Sequence, residues 1–222
     1  MTDSGSRSRP RADSPPDDVA AILQQLRQAL RTKDSNGRMI RAAACGVYAF
    51  FDYDGEPIYV GQSYENIAGR IGRHLTGQRS DAVAKRVLDP FEVAEIEIWP
   101  FWDLDPKADR EGAKDTLLAA EYTVFTMLEE QSRFNAVLNE DRPTETRRIS
   151  LPPSMRFGIV PKDVFQRRRH ADVRIAQRAS TLSDLANVIS RREIKSPGIR
   201  RTLLTQAKRI AFLAERRLQD TE

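Results

Sequence analysis

The stretch from Gly46 to Leu75 constrains the fold more than any other part of the 222-residue chain. Val47 to Tyr53 is rich in β-branched and aromatic residues, which favour a half-buried strand. Asp54-Gly55 then offers a tight turn, because glycine accepts the positive φ that hairpin turns require. The extended pattern resumes and is expected to break at Gly61-Gln62-Ser63, where Ser63 would cap a helix. This stretch therefore predicts a strand, a turn, a second strand and a helix.

The predicted helix carries an apolar stripe and a polar pair. Ile67, Ile71 and Leu75 recur every four residues and would line its buried side. Arg70 and His74 are also four residues apart, so they share a face beside that stripe. A cation and an imidazole held together at the edge of a core suit chemistry on an anionic group.

Two tyrosines on the strands complete a pattern that resembles the GIY-YIG nuclease superfamily. The two tripeptides of that name appear as Gly46-Val47-Tyr48 and Tyr59-Val60-Gly61, and Arg70 and His74 follow on the next helix. Valine replaces isoleucine in both tripeptides, which conserves the shape of the side chain. The resemblance covers about residues 45–139. It implies an α+β fold in which a small three-stranded antiparallel sheet is flanked by helices.

A third strand and a long helix continue the pattern after the hairpin. Residues 91–99 alternate between apolar and polar side chains, which predicts a strand, and residues 115–131 have helical spacing. Glu121 falls on the apolar stripe of that helix, between Leu117 and Val124. A carboxylate in such a place is costly unless it is paired or bound to a cation. A buried salt bridge, for instance to Arg70, and a metal site both fit the residues, and the resemblance implies the metal site.

The resemblance also implies an active-site asparagine downstream of that helix. Asn135, which follows Phe134, fits best, and Asn139 is its competitor; a plain turn residue is the alternative for either. In the implied mechanism Glu121 holds one Mg²⁺ or Mn²⁺ ion, because hard cations prefer oxygen ligands. Arg70 would bind a phosphate oxygen. The complete implied catalytic set is Tyr48, Tyr59, Arg70, His74, Glu121 and Asn135.

Composition limits the class of protein. No apolar run approaches the roughly 20 residues of a membrane span, and no secretory signal pattern opens the sequence. Cys45 is the one cysteine, so an internal disulfide is excluded. These features predict a cytoplasmic protein without a membrane partner. The net charge of +4 is unevenly spread, because residues 162–222 carry +8 and residues 1–161 carry −4. That asymmetry favours contact between the C-terminal part and a polyanion.

The domain organisation follows from these patterns. We expect a disordered tail at 1–17, an N-terminal helix within 18–38 and a nuclease-like domain at 39–140. A linker or wrapping arm would occupy 141–163, and a basic helical region would occupy 164–222. Its two last helices fit either a helix-turn-helix reader or a packing or dimerisation hairpin. The candidate DNA contacts there are Arg167, Arg168, Arg169, Arg200 and Arg201.

The functional hypothesis is a metal-dependent DNA endonuclease that hydrolyses phosphodiester bonds, with a restriction or mobile-element role. Two alternatives stay open at this point: a DNA-binding module without catalysis, and a structure-specific repair nuclease. DNA is the expected partner in each of the three. The sequence does not distinguish a monomer from a homodimer.

Overall fold

A computed structural model describes residues 17–76, 89–192 and 196–220. Within these residues a four-stranded antiparallel sheet has the strand order β2-β1-β3-β4. Its strands are β1 (Cys45–Phe51), β2 (Pro57–Tyr64), β3 (Glu95–Pro100) and β4 (Met155–Gly158). The helices are α1 (Asp17–Ala29), α2 (Ile67–Leu75), α3 (Arg110–Gln131), α4 (Lys162–Arg168), α5 (Ala171–Arg192) and α6 (Pro197–Gln219). None of the helices in the described ranges has the length and apolarity to cross a membrane.

The fourth strand corrects the expectation of three. β4 lies inside the stretch predicted as a linker and pairs with β3, so that Glu95 faces Gly158 across the ladder. Arg156 of β4 bonds the Glu95 carboxylate at 2.6 Å and stacks on the Phe51 ring at 3.7 Å. A four-residue strand beside several prolines carries too short a pattern to be recognised locally, because its stability comes from the neighbouring strand.

The hairpin also differs in detail from the prediction. β1 begins and ends two residues earlier than the predicted Val47–Tyr53, and β2 does not break after Val60 but continues to Tyr64. Asn66, rather than Ser63, caps α2, because its side chain accepts a hydrogen bond from the Gly69 backbone at 2.8 Å. The turn itself is as predicted, with Gly55 at a φ of +76°.

Three helix boundaries differ from the sequence pattern. The spacing of apolar residues predicts a first helix from about Val19 to Lys33, but α1 ends at Ala29. α3 begins at Arg110 rather than near 115, capped by the Asp109 side chain. The pair Thr181 and Asp184 is typical of a capping box and predicts a short helix that starts at Thr181. Instead α5 begins at Ala171, so Thr181 lies in mid-helix. There its hydroxyl donates to the Gln177 carbonyl at 3.1 Å. The predicted tail at 1–17 lies outside the described residues except at its last position.

The sheet separates two apolar layers. On one face Tyr48 and Phe50 pack with residues of α1 and α2, such as Leu26 and Ile71. On the other face Val47, Ala49, Phe51 and Val60 pack with α3 through Leu117, Ala120, Val124 and Leu128. α2 and α3 therefore pack on opposite faces of the sheet, and β2 is its edge strand. The outer edge of β2 is thereby reachable by side chains of both helices.

A buried ionic cluster joins the C-terminal helices to the tip of the hairpin. The carboxylate of Asp52, at the end of β1, accepts hydrogen bonds from Arg174 and Arg178 of α5 and from Arg209 of α6. These four residues are each no more than 2 % exposed. Arg178 also bonds Glu92 at 2.6 Å. Burial alone would raise the pKa of Asp52, but the three guanidinium groups outweigh it and lower that pKa.

The cluster accounts for part of the positive charge in the C-terminal region. Arg174 additionally bonds Asp54 at 2.6 Å, and Arg217 of α6 pairs with Asp172 of α5 at 3.0 Å. α5 and α6 run antiparallel, since Arg217 near the end of α6 pairs with Asp172 near the start of α5, and Arg178 further along α5 reaches the Arg209 carbonyl at 3.4 Å. Arg174, Arg178 and Arg209 thus connect the helical pair to the hairpin, whereas Arg217 joins the two helices to each other.

Candidate active site

The two tyrosines lie on the same face of the hairpin. Tyr48 of β1 is opposite Gly61 of β2, and Tyr59 of β2 is opposite Phe50. Their ring centroids are 6.2 Å apart. The absence of a side chain at Gly61 makes this arrangement possible, because a Cβ atom there would lie 2.8 Å from the Tyr48 hydroxyl and 2.8 Å from the Tyr59 ring.

Helix α2 brings His74 against both tyrosines. Its Nε2 atom lies 3.2 Å from the Tyr48 hydroxyl, and its ring centroid lies 4.8 Å from that of Tyr59. The side chain of His74 is 3 % exposed and that of Tyr48 is fully buried, whereas Tyr59 reaches 9 %. The structure therefore brings Tyr48, Tyr59 and His74 into one buried cluster, in which Tyr59 is the least buried residue.

Glu121 and Arg70 meet at the outer part of β2. Arg70 is exposed on α2, one turn before His74, and lines a surface cavity of about 270 Å³ together with Gln62. The Gln62 side chain donates a hydrogen bond to the Glu121 carboxylate of α3. Burial raises the pKa of Glu121 to about 7, against the lowering effects of Gln62 and of the Arg70 charge. The positive charge near this carboxylate therefore does not offset the effect of burial on its pKa.

This environment fits a divalent cation. The Oε1 atom of Gln62 is buried and, within the described part of the chain, has no hydrogen-bond partner. This amide oxygen and the Glu121 carboxylate are both oxygen ligands of the kind that Mg²⁺ prefers. Among the described residues no group of three or more His, Cys, Asp or Glu side chains is placed to bind a metal. A site with few protein ligands suits Mg²⁺, which keeps several of its waters.

The two candidate asparagines occupy different environments. Asn135 lies in an exposed turn after α3 with a φ of +47°, a conformation that asparagine tolerates better than most residues. Asn139 instead clamps the outer edge of β2. Its amide oxygen accepts from the Val60 backbone N–H at 2.9 Å, and its amide nitrogen donates to the Val60 carbonyl at 2.8 Å. Geometry therefore places Asn139, the competitor, beside the tyrosine-bearing strand.

Sequence reasoning missed Gln62 and ranked Asn139 second. A signal for Gln62 existed, because it directly follows Tyr59-Val60-Gly61 and would face α3 if β2 continued. The expected break of the strand at Gly61 concealed that orientation. No local sequence pattern favours Asn139 over Asn135, because Val60, the residue that Asn139 bonds, lies 79 residues away in the chain.

The predicted DNA contacts of the C-terminal region are spread over two helices. Arg167 pairs with Asp163 at 3.5 Å. Arg168 lies over the Phe91 ring, and Arg169, directly after α4, lies over the Phe165 ring. Arg200 and Arg201 are exposed on α6. Arg201 lines a cavity of about 230 Å³ with both Asn135 and Asn139.

The comparisons bear on the hairpin and α2. No curated protein and no solved structure is significantly similar to the chain. A family model does match, and its boundaries include Tyr48, Tyr59, Arg70 and His74 but stop before Glu121. The match supports a nuclease-type function in general. Residues 44–111 resemble the GIY-YIG catalytic domain, which establishes the family resemblance for this segment of the chain.

Proposed function

We propose that this protein is a metal-dependent DNA endonuclease that hydrolyses phosphodiester bonds, in a restriction or mobile-element context. The observation that carries the proposal is the position of Glu121. Its carboxylate accepts a hydrogen bond from Gln62 and interacts with the charge of Arg70. These two groups do not offset the effect of burial on its pKa. Glu121 follows the segment matched to a catalytic domain, but it lies at the edge of β2, the strand of that segment that carries Tyr59.

Glu121, with Gln62 beside it, would hold one Mg²⁺ or Mn²⁺ ion. When bound, such an ion polarises the scissile phosphate and stabilises negative charge on the leaving 3′ oxygen. Arg70 is exposed at the cavity and would bind a non-bridging phosphate oxygen, for which the planar guanidinium is well suited. These two side chains lie on opposite faces of the sheet, so a phosphate between them would be held at the edge of β2.

Tyr59, Tyr48 and His74 would orient the attacking water and accept its proton. The water oxygen forms a bond to phosphorus while the bond from phosphorus to the 3′ oxygen breaks, and that oxygen takes up a proton. The 3.2 Å contact between Tyr48 and His74 gives the proton a route away from the reacting water. A phenol has an ordinary pKa near 10, so a positive environment is needed if a tyrosine is to act as base.

The test is cleavage of supercoiled plasmid by the full chain and by Glu121→Gln, in Mg²⁺, in Mn²⁺ and in EDTA. Glu111→Gln is the matched control, because it changes an exposed carboxylate on the same helix. We expect the wild type and the control to cut only with metal, and Glu121→Gln to lose at least a hundredfold in rate, about the effect of removing one group that stabilises transition-state charge. Binding of Mn²⁺, followed by calorimetry, should weaken in the same variant.

Two results would count against the proposal. Equal cutting by Glu121→Gln and Glu111→Gln would remove Glu121 from the site. DNA binding without cleavage by any of the three proteins, in either metal, would favour a binding module instead. The melting temperature of Glu121→Gln checks its fold and should not fall, because the substitution removes a partly buried charge.

A further inference from the structure

A groove of about 460 Å³ runs between α1 and α2, beside the candidate active site. Four exposed arginines line it. Arg27 and Arg31 come from the end of α1 and the turn after it, Arg41 from a short 3₁₀ turn, and Arg73 from α2. Backbone hydrogen bonds fix this frame, since the Arg41 N–H donates to the Leu30 carbonyl at 2.8 Å. The cations are therefore held on an ordered surface.

The groove combines positive charge with an apolar floor. Among the described residues that line it, none is acidic. Its floor includes Leu26, Leu30 and Ala68, and it is open at Gly72, where an added Cβ atom would meet nothing within 4 Å. Cations along the rim and apolar surface below suit a sugar–phosphate backbone, which has charged phosphates and less polar sugars.

The groove adjoins the cavity at the candidate active site. Arg73 lines both the groove and the 270 Å³ cavity that contains Arg70 and Gln62. A backbone bound along Arg27 and Arg31 would thus lead past Arg73 towards Arg70. In the C-terminal region, by contrast, Arg174, Arg178 and Arg209 form ion pairs with the buried Asp52 carboxylate. These three cations therefore do not face solvent where DNA could contact them.

We infer that the α1–α2 groove binds the substrate's sugar–phosphate backbone and guides it to the catalytic edge of β2. This inference rests on the proposed nuclease function. It assigns substrate binding to α1 and Arg41, which lie outside the segment matched to the catalytic domain. It also places the main DNA contact on the N-terminal side of the fold instead of on the C-terminal helices.

The experiment measures binding of a short fluorescent duplex by anisotropy, in EDTA so that no cleavage occurs. The groove variant is Arg27→Gln with Arg31→Gln, and the control is Arg110→Gln with Lys114→Gln on α3. Both pairs are exposed and remove the same charge, but α3 covers the opposite face of the sheet. Each lost phosphate contact should weaken binding by about tenfold near 0.1 M salt and lower the salt slope by about one.

We expect the groove variant to bind about a hundredfold more weakly, the control to bind as the wild type does, and Arg27→Lys with Arg31→Lys to restore most of the affinity. Equal affinities and equal salt slopes for the groove variant and the control would overturn the assignment of substrate binding to the groove. In that case, plasmid cleavage by the wild type would still support the nuclease function. Normal DNA binding with lost binding of poly-glutamate would identify an acidic protein segment as the occupant and overturn the inference. A wild type that neither cuts nor binds DNA would overturn both proposals.

Discussion

Replacing Asp52 with asparagine would remove the carboxylate on which three buried arginines converge. Arg174 would retain Asp54 and Arg178 would retain Glu92, both at 2.6 Å. Arg209 would lose the acid that it bonds, and it is 1 % exposed. Burial and the neighbouring charge of Arg178 already lower the pKa of Arg209. Asparagine keeps the shape of the side chain, so the change isolates the charge.

The expected cost is large because a buried charge would be left uncompensated. Breaking a buried ion pair by removing one partner costs about 3–5 kcal/mol. The total stability of a domain is only about 5–15 kcal/mol. For a chain of this size each kcal/mol shifts the melting temperature by about 2–4 °C. Asp52→Asn should therefore lower the melting temperature by roughly 6–20 °C.

The assay is thermal and urea unfolding of Asp52→Asn beside a control that breaks an exposed pair. Asp163→Asn serves as that control, because Asp163 pairs with Arg167 at 3.5 Å and both side chains are more than 60 % exposed. Exposed pairs contribute about 0–1 kcal/mol, so the control should change the unfolding free energy little. Equal changes in the two variants would refute the idea that the cluster anchors the C-terminal helices.

Three further outcomes follow from the same contacts. The contribution of Asp52 to the unfolding free energy, taken as the difference between the wild type and Asp52→Asn, should be constant above about pH 5 and fall below about pH 4, because the pKa of Asp52 is lowered on folding and its contribution is lost as the pH falls through the folded pKa; a difference that does not change with pH would contradict this. Gly61→Ala should lower the unfolding free energy by about 1–3 kcal/mol and impair cleavage, since its Cβ would lie 2.8 Å from the Tyr48 hydroxyl. If the variant unfolds in urea and cuts plasmid as the wild type does, the added methyl group does not crowd the tyrosines. Asn139→Ala should cost about 1–3 kcal/mol and reduce plasmid cleavage, while Asn135→Gly should be near neutral; the reverse order would restore Asn135 to the site.

Much of the candidate site could be predicted from short-range pattern. The turn at Asp54-Gly55 depends on one glycine at a φ of +76°. The buried stripe of α2 and the odd position of Glu121 both follow from helical periodicity, and the pattern of tyrosines, Arg70 and His74 carried the family resemblance that a family model then confirmed. Each of these features is encoded within a few helical turns or one hairpin.

The features that were missed depend on distant partners. β4 forms only because β3, about sixty residues earlier, offers an edge, and the continuation of β2 past Gly61 depends on pairing with β1 as far as Cys45. The clamp from Asn139 to β2 spans 79 residues. The bond from Arg209 to Asp52 spans 157 residues. No periodicity of the chain reports contacts of this kind.

By itself the sequence determined the hairpin, the α2 face and a set of candidate site residues, because backbone propensity and side-chain spacing act over short distances. Only the tertiary structure decided which of those residues meet, how the C-terminal arginines are used and where free positive charge remains. The physical reason is that burial and ion pairing depend on the whole packed chain. An arginine such as Arg209 anchors a helix because it bonds the buried Asp52, whereas an arginine such as Arg27 is a candidate DNA contact because it lines the α1–α2 groove.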